Sequence, residues 1–262
     1  MVGREPLIRG VRGARVRPMS THASGTVAVV VGGGSGIGAA VAERQRAEGR
    51  SVVVWDVRGT PDVECDVSDA RQVDAAVRAT LDGAGTPALV TITAGIGHSG
   101  LLADATPEDF DRVLSVNAKG PWLVMRALAK PMASAGGGSI VATSSVSARL
   151  VDRAMGLYCA SKAALDMLVK VAAAEWGPKV RVNAIAPGVT DTPMLGRAPR
   201  QGAWLSAVAG RTALARLGTA DEVAEAIVAL HAMRWVTGQV VAADGGLSLH
   251  SPIDAFGEPH VK

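Results

Sequence analysis

Short apolar runs alternate with longer amphipathic stretches along most of this chain. Runs rich in β-branched residues, bounded by glycine, proline or charge, predict strands at residues 26–31, 51–56, 88–93, 139–143, 180–185 and 239–242. Apolar residues spaced three and four apart predict helices at residues 37–49, 69–82, 107–135, 157–176 and 220–231. This alternation indicates an α/β fold, with about seven parallel strands in one doubly wound sheet of Rossmann type and helices on both faces.

No internal repeat or linker interrupts the pattern, so we expect one domain over residues 25–250. Residues 190–216 break the alternation with prolines, glycines and Trp204, which predicts a lid over a functional site. The arginine-rich residues 1–24 predict a disordered tail, and residues 251–262 a second tail.

The formal net charge of +3 arises at the amino terminus, because residues 1–18 hold five arginines and one glutamate. The rest of the chain is close to neutral, which argues against a nucleic-acid partner. Two cysteines and five scattered histidines give no metal-site spacing, so no metal is expected. Apolar runs are only strand-length and no secretory signal is evident, so we expect a cytoplasmic protein without a membrane partner.

A glycine-rich loop, Gly32 to Gly38, lies between the first predicted strand and the first predicted helix. Unpaired N–H groups at a helix N-terminus attract a pyrophosphate, and glycine lets the backbone approach it closely. The loop residues expected to contact a dinucleotide are Gly32, Ser35, Gly36, Ile37 and Gly38.

Asp56 ends the second predicted strand, about 20 residues beyond the loop. Its carboxylate can accept hydrogen bonds from both adenosine-ribose hydroxyls and would repel a 2′-phosphate, which predicts NAD rather than NADP. Arg58 instead favours NADP, because a positively charged side chain at this place can bind the 2′-phosphate.

Tyr158 and Lys162 stand four residues apart within a predicted helix, so both side chains lie on one face. A phenol has a pKa of about 10 and is a poor base at neutral pH. A neighbouring ammonium, together with the positive nicotinamide of bound NAD, is expected to lower the pKa of Tyr158.

These motifs, Gly-x-x-x-Gly-x-Gly and Tyr-x-x-x-Lys, resemble those of the classical short-chain dehydrogenase/reductase family, and the resemblance covers residues 26–246. It implies that Tyr158 transfers the proton, that Ser145 orients the substrate oxygen and that Lys162 binds ribose and tunes the tyrosine. Asn117 would distort its helix and hold a water molecule that relays protons to the lysine. Ser144 and Ser147 are alternatives to Ser145 that depart from the family spacing.

The resemblance also implies further cofactor contacts and a homo-oligomer, either a tetramer or a dimer. Asp66 matches the position that binds the adenine amino group, and only nine residues separate it from Asp56, where the family usually has a helix. The other implied contacts are Val67, Ala94, Gly95, Pro187, Gly188, Thr190 and Thr192.

Two positions depart from the family pattern. Val31 replaces a threonine, and Ile92-Thr93 replace two asparagines. Polar groups lost together leave no buried partner unpaired, so we expect an active variant. The related enoyl reductases have six residues between the tyrosine and the lysine. In this chain that spacing leads to Leu165 and not to a lysine, which favours carbonyl and alcohol chemistry over double-bond reduction.

The sequence therefore predicts an NAD-dependent oxidoreductase that interconverts a secondary alcohol and a ketone. The expected pocket residues are mostly apolar and favour a bulky alicyclic, steroid-like or acyl substrate: His98, Leu150, Met155, Val189, Met194, Leu195 and Trp204. A non-catalytic nucleotide-binding sensor or scaffold is the main alternative, and a Rossmann-like methyltransferase is a weaker one.

Overall fold

The computed structural model of the chain describes residues 8–9, 15–16, 25–196 and 202–249. Its strands are β1 Ile8–Arg9, β2 Arg15–Val16, β3 Val27–Val31, β4 Ser51–Asp56, β5 Val63–Glu64, β6 Leu89–Ile92, β7 Gly138–Thr143, β8 Val180–Pro187, β9 Thr190–Asp191, β10 Gly218–Thr219 and β11 Val240–Ala243. Its α-helices are α1 Gly36–Ala47, α2 Ala70–Gly83, α3 Pro107–Leu114, α4 Gly120–Ser134, α5 Gly156–Trp176, α6 Gly202–Arg211 and α7 Ala220–Ala232.

The main sheet has seven parallel strands in the order β5-β4-β3-β6-β7-β8-β11. Helices cover both faces, so the predicted doubly wound Rossmann-type sheet is confirmed. Its chain order reverses at β3, whose neighbours are β4 and β6, and ligands of such sheets bind at the carboxyl ends beside this switch point.

The alternation of side chains along each strand divides the core into two layers. In β3, Val29 and Val31 pack with α2, α4 and α5 on one face, whereas Val30 packs with α1 and α7 on the other. Both layers are mainly aliphatic, as expected when aromatic residues make up 3% of the chain. The indole of Trp55, which is fully buried, donates a hydrogen bond to Thr80 Oγ1 at 3.0 Å.

The predicted helix over residues 107–135 is interrupted in the structure. A π-helical turn at Ser115–Lys119 separates α3 from α4 and contains Asn117. Strand β5 and the small sheet of β9 and β10 were not predicted, because two residues carry too little periodicity to be recognised.

Part of the expected tails and lid lies within the described residues. β1 and β2 pair as antiparallel strands, and Val16 pairs with Val63 at the sheet edge, which differs from the disorder expected for these four residues. The rest of residues 1–24, residues 197–201 of the expected lid and the tail 251–262 lie outside the described residues. Domain organisation and the lid stay predictions.

Within the described part of the chain, no helix is both long and apolar enough to cross a bilayer. The same residues contain no group of three or more His, Cys, Asp or Glu side chains that could hold a metal ion.

A buried histidine links α7 to the sheet. His231 is 6% exposed, and its ring nitrogens lie 2.9 Å from Thr91 Oγ1 on β6 and 3.0 Å from Ser139 Oγ on β7. Burial lowers the pKa of His231 to about 3, and the positive charges of Arg181 and Arg50 act in the same direction. The neutral ring therefore bridges two buried hydroxyls beneath the sheet.

We expect His231→Leu to reduce the free energy of unfolding near pH 8 by about 2–4 kcal/mol, because both hydroxyls lose their partner. The folded-state pKa is depressed, so the wild type itself loses stability as the pH falls below about 6.5, by about 2 kcal/mol at pH 5. Urea unfolding of both proteins at the two pH values measures this. The difference in the free energy of unfolding between the two proteins should be smaller at pH 5 than at pH 8. An equal difference at both pH values would show that folding does not change the pKa of His231.

Candidate active site

The glycine-rich loop connects β3 to α1 through positions that exclude a larger side chain. A Cβ on Gly32, whose φ is +81°, would lie 2.5 Å from the nitrogen of Ala94, and one on Gly38 would lie 2.2 Å from the oxygen of Gly32. The loop is therefore folded tightly against the end of β6, and α1 begins within it. This arrangement fits a pyrophosphate, since the first N–H groups of α1 have no partner within the helix.

The rim of this loop is open. Gly34 and Ser35 are exposed, whereas Ile37 and Gly36 are partly buried. A Cβ on Gly36 would lie 3.5 Å from the Cβ of Thr192, so Thr192 lies beside the loop on the other side of the switch point. The backbone cradle and its open rim together fit a dinucleotide.

Asp56 lies at the end of β4, directly against the glycine-rich loop. Its Oδ2 accepts a hydrogen bond from Gly34 N at 2.9 Å, and its Oδ1 accepts one from Arg58 N at 3.0 Å. The carboxylate is thus oriented toward the loop, while Arg58 is exposed. Each carboxylate oxygen retains a second lone pair for a ligand hydroxyl.

The connection after β4 contains bends and β5 where the family usually has a helix. Asp66 follows β5, and its Oδ1 accepts hydrogen bonds from Ser68 N at 2.9 Å and Ser68 Oγ at 2.7 Å. Val67 is buried, and a Cβ on Gly120 would lie 2.7 Å from its Cγ2. Asp66 and Val67 therefore lie at the edge of the sheet beyond Asp56.

Val31 and Ile92, the two apolar residues that replace polar ones of the family pattern, lie side by side on neighbouring strands. Val31 is the direct strand partner of Ile92, and both are 1% exposed. Thr93 Oγ1 donates to the oxygens of Val31, at 2.9 Å, and Gly32, at 3.0 Å. The single hydroxyl is therefore satisfied by the glycine-rich loop itself, and the two apolar side chains pack where the family has polar ones.

Asn117 ties the loop after β6 to α5. Its Oδ1 accepts from Ile96 N at 2.8 Å, and its Nδ2 donates to Ile96 O at 2.8 Å and to Ser161 Oγ at 3.0 Å. The π-helical turn places this side chain inward, where Asn117 is fully buried. The predicted helix distortion at Asn117 is thus present in the structure.

Gly95 lies between Asn117 and Lys162. A Cβ there would be 3.2 Å from Asn117 Oδ1 and 3.4 Å from Lys162 Nζ. Gly95 and its neighbour Ala94 therefore form a thin wall beside the lysine, as a ligand passing close to the backbone requires.

Tyr158 and Lys162 lie on one face of α5, as predicted. Lys162 is 4% exposed, and its Nζ donates a hydrogen bond to Thr143 O at 2.8 Å. The same Nζ lies 5.8 Å from the centre of the Tyr158 ring. The phenol and the ammonium are therefore adjacent at the carboxyl end of β7.

Burial shifts the pKa values of both residues of this pair. Burial raises the pKa of Tyr158, and the hydrogen bond with Ser145 offsets only part of this effect. Burial also lowers the pKa of Lys162 to about 8, against the favourable charge of Asp166. Among the protein's own groups, burial thus dominates the pKa of Tyr158, and the expected lowering by Lys162 together with the positive nicotinamide of bound NAD stays a prediction.

Three serines follow β7, and only one of them faces the tyrosine. Ser145 hydrogen-bonds Tyr158. Ser144 Oγ instead donates to Asp166 Oδ1, and Ser147 Oγ donates to Asp152 Oδ2. The two alternatives to Ser145 are therefore occupied elsewhere.

The segment after β8 is held against the end of β11. Gly188 N donates to Ala243 O at 3.1 Å, and a Cβ on Gly188 would lie 2.8 Å from the Cα of Asp244. Thr190 Oγ1 donates back to Gly188 O at 3.1 Å. These contacts carry the chain from Pro187 toward Thr192, which lies beside the glycine-rich loop.

One wall of the expected substrate pocket is built from two segments. Gly100 forms an isolated bridge with Met155, and Gly100 N donates to Ala154 O at 2.8 Å. His98 follows Ile96 in the same loop, and its side chain is 9% exposed, with Nε2 3.8 Å from Asp109 Oδ2. His98 and Met155 are thus brought near the start of α5.

The other predicted pocket residues lie on separate elements. Leu150 follows the 3₁₀ turn Val146–Ala148, and the carbonyl oxygen of Val189 accepts a hydrogen bond from Gly218 N at 3.0 Å. Met194 and Leu195 belong to the 3₁₀ turn Pro193–Leu195. Trp204 is partly buried on α6. Their place in the pocket stays a prediction.

Sequence reasoning did not identify the residues that hold the site together. Ser161 and Thr143 bind Asn117 and Lys162, and Asp166 binds Ser144. Asp166 carried a recognisable signal, because it repeats the four-residue spacing of Tyr158 and Lys162 on α5. Ser161 and Thr143 carried none, since their contacts join distant parts of the chain.

Comparisons with known proteins indicate the family to which this chain belongs. The family model described as "Enoyl-(Acyl carrier protein) reductase" matches residues 31–248. Galactitol 2-dehydrogenase of Rhizobium johnstonii is 36% identical over 251 residues, covering 86% of this chain and 95% of its own. The 3-alpha-(or 20-beta)-hydroxysteroid dehydrogenase of Mycobacterium tuberculosis is 34% identical over 244 residues, covering 87% and 91%.

Solved structures show the same likeness. The ligand-free aldohexose dehydrogenase of Thermoplasma acidophilum has a TM-score of 0.83 and 29% identity over 88% of this chain and 96% of its own. ElxO with NADP bound has a TM-score of 0.79 and 26% identity, covering 87% and 100%. This chain belongs to the short-chain dehydrogenase/reductase family, whose members are oxidoreductases that bind a nicotinamide cofactor.

Proposed function

We propose that this protein is an NAD-dependent dehydrogenase that interconverts a secondary alcohol and a ketone. The observation that carries the proposal is the meeting of Ser145, Tyr158 and Lys162 at the end of β7, beside a backbone cradle that fits a dinucleotide. Relatives named for alcohol oxidation support the reaction class.

The cofactor would be held along the carboxyl edge of the sheet. Gly32, Ser35, Gly36, Ile37 and Gly38 would bind the pyrophosphate, and Asp56 the adenosine ribose. The remaining contacts would come from Asp66, Val67, Ala94, Gly95, Tyr158, Lys162, Pro187, Gly188, Thr190 and Thr192. The bound nicotinamide supplies the hydride acceptor or donor and, when oxidised, a positive charge.

The protein's own groups handle the proton and the substrate oxygen. Ser145 is hydrogen-bonded to Tyr158, so both hydroxyls can contact one substrate oxygen. During oxidation Tyr158 Oη accepts the hydroxyl proton, and during reduction it donates one. Because burial alone raises the pKa of Tyr158, the phenolate needs a positive charge beside it, which Lys162 and the oxidised cofactor would provide together. Asn117 holds the backbone and Ser161 next to this lysine.

A bulky apolar substrate fits the rim of the site better than a polyol does. Leu102 is 68% exposed, Val151 97% and Met194 55%, and all three belong to the segments around the expected pocket. The relatives include enzymes named for galactitol and for hydroxysteroids, so the family accommodates both classes. Exposed aliphatic side chains favour an alicyclic, steroid-like or acyl compound here.

A homo-oligomer, a tetramer or a dimer, is expected from the family, with large exposed apolar side chains such as Phe110 and Trp235 available for contact. The cytoplasmic location stays a prediction from the sequence.

Replacing the tyrosine separates catalysis from binding. We expect Tyr158→Phe to fold and to bind NADH but to lose turnover by more than about 100-fold, because only the transferable proton is removed. Steady-state rates with a panel of secondary alcohols, and NADH titration by fluorescence, measure the two effects. Cys159→Ala, on the adjacent residue, is the matched control and should retain wild-type activity. Wild-type rates in Tyr158→Phe would refute the assignment of the proton-transferring residue.

Replacing Asp56 tests the cofactor preference. The ribose hydroxyls of NAD can donate to this carboxylate through charge-assisted bonds of about 1.5–3 kcal/mol each, whereas the phosphate of NADP would be repelled. Asp56→Ala should therefore narrow the preference for NAD by at least about 10-fold, or about 1.4 kcal/mol. The kcat/KM values for both cofactors in the two proteins measure it.

Asp56→Asn is the companion variant, since an amide oxygen can still accept a backbone hydrogen bond without the charge. It should resemble Asp56→Ala in cofactor preference while keeping one of the two loop contacts, with Gly34 or with Arg58, because an amide has a single acceptor oxygen. A wild type that already prefers NADP would show that Arg58 dominates over Asp56.

A further inference from the structure

The end of β7 is joined to one face of α5 by three successive residues. Thr143 O accepts from Lys162, and Ser145 hydrogen-bonds Tyr158. Ser144 lies between them, and its Oγ donates to Asp166 Oδ1. Two of these contacts belong to the site described above, whereas the third has no role in it.

The contact between Ser144 and Asp166 is buried. Ser144 is 2% exposed and Asp166 8%, and the N–H of Ser144 donates to Ile185 O at 2.7 Å. Ser144 is therefore fixed by the sheet through its backbone and by α5 through its side chain. Because Ser145 is the next residue, its position relative to Tyr158 depends on this contact.

Asp166 also lies one helical turn beyond Lys162, on the same face of α5. Its charge favours the protonated form of that buried lysine. The groups that face Asp166 are Ser144 from the end of β7, Arg149 from the following segment, with Nε 4.0 Å from Oδ2, and Lys162 and Lys170 from α5 itself. Burial raises the pKa of Asp166, and these four groups, which favour the ionised carboxylate, offset part of that effect.

Lys162 has few charged neighbours that could compensate for the loss of Asp166. Among the described residues, Asp166 is the one charged group that raises the pKa of Lys162, and the tyrosine ring faces the ammonium from α5 at 5.8 Å. From β7 the lysine meets only a neutral carbonyl, that of Thr143, and from the loop after β6 the backbone of Gly95.

We propose that Asp166 is a positioning residue of the active site, which holds Ser145 in place through Ser144 and keeps Lys162 charged. This inference rests on the proposed dehydrogenase function. It assigns two separable effects to one carboxylate, a mechanical one on the serine and an electrostatic one on the lysine.

Two substitutions separate these effects. Asp166→Asn removes the charge and leaves an oxygen that can accept from Ser144, so it should lower the pKa of Lys162. As the pH rises, the variant should then lose affinity for NADH earlier than the wild type, with the midpoint of this loss at least about half a pH unit lower. The descending alkaline limb of kcat/KM for alcohol oxidation should move in the same direction.

Ser144→Ala removes the mechanical contact and leaves the charge. It should lower kcat and move both pH profiles less than Asp166→Asn does, since the carboxylate loses one hydrogen bond but remains beside Lys162. Glu175→Gln is the matched control, because Glu175 is an exposed carboxylate near the end of the same helix. This control should change neither kcat nor the pH dependence of NADH binding.

NADH binding is followed by fluorescence across the pH range, and thermal unfolding confirms that each variant is folded. Asp166→Asn with an unshifted binding profile would overturn the electrostatic role, and Ser144→Ala with wild-type kcat would overturn the mechanical one. A wild type that binds NADH but oxidises no alcohol would instead refute the proposed function, and the binding profile would still decide the charge effect. If Asp166→Asn does not fold, Ser144→Ala still tests the contact.

Discussion

The active-site geometry depends above all on the contact between the end of β7 and one face of α5. Three consecutive residues, Thr143 at the end of the strand and the two serines that follow it, contact Lys162, Asp166 and Tyr158 in turn, which are spaced by single turns of the helix. A strand end and a helix face are both rigid, so this register fixes the serine, the phenol and the ammonium relative to one another. The cost is burial of the lysine, whose pKa falls to about 8.

The cofactor side depends on a second close contact, at the switch point of the sheet. Gly38 and Gly32 leave no room for a side chain, and Thr93 Oγ1 donates to the loop at the place where family members carry asparagine. Asn117 connects this side to α5 through Ile96 and Ser161. Asn117 therefore joins the loop after β6, which lies against the glycine-rich loop, to the helix that carries Tyr158 and Lys162.

The sequence predicted the elements that carry strong periodicity and the motifs with fixed local spacing. Six strands and the face shared by Tyr158 and Lys162 agree with the structure, because these depend on neighbours within a few residues. Strand β5 is too short to carry a periodic signal, and the contact between Ser144 and Asp166 joins different elements, so neither could be located from the sequence. The helix distortion at Asn117 was implied by the family resemblance and not by periodicity. The effect of burial on the pKa of Tyr158 could not be predicted either, since the spacing of two residues carries no information on desolvation.

Transfer of an isotopic label tests the central claim most directly. The protein is incubated with NAD and a panel of secondary alcohols, including alicyclic, hydroxysteroid and polyol compounds, each deuterated at the carbinol carbon. The account predicts that mass spectrometry finds the deuterium in the reduced cofactor for at least one alicyclic or steroid-like alcohol. If NAD binds and no labelled NADH forms with any member of the panel, the chain is a nucleotide-binding protein without this activity, and the account is contradicted.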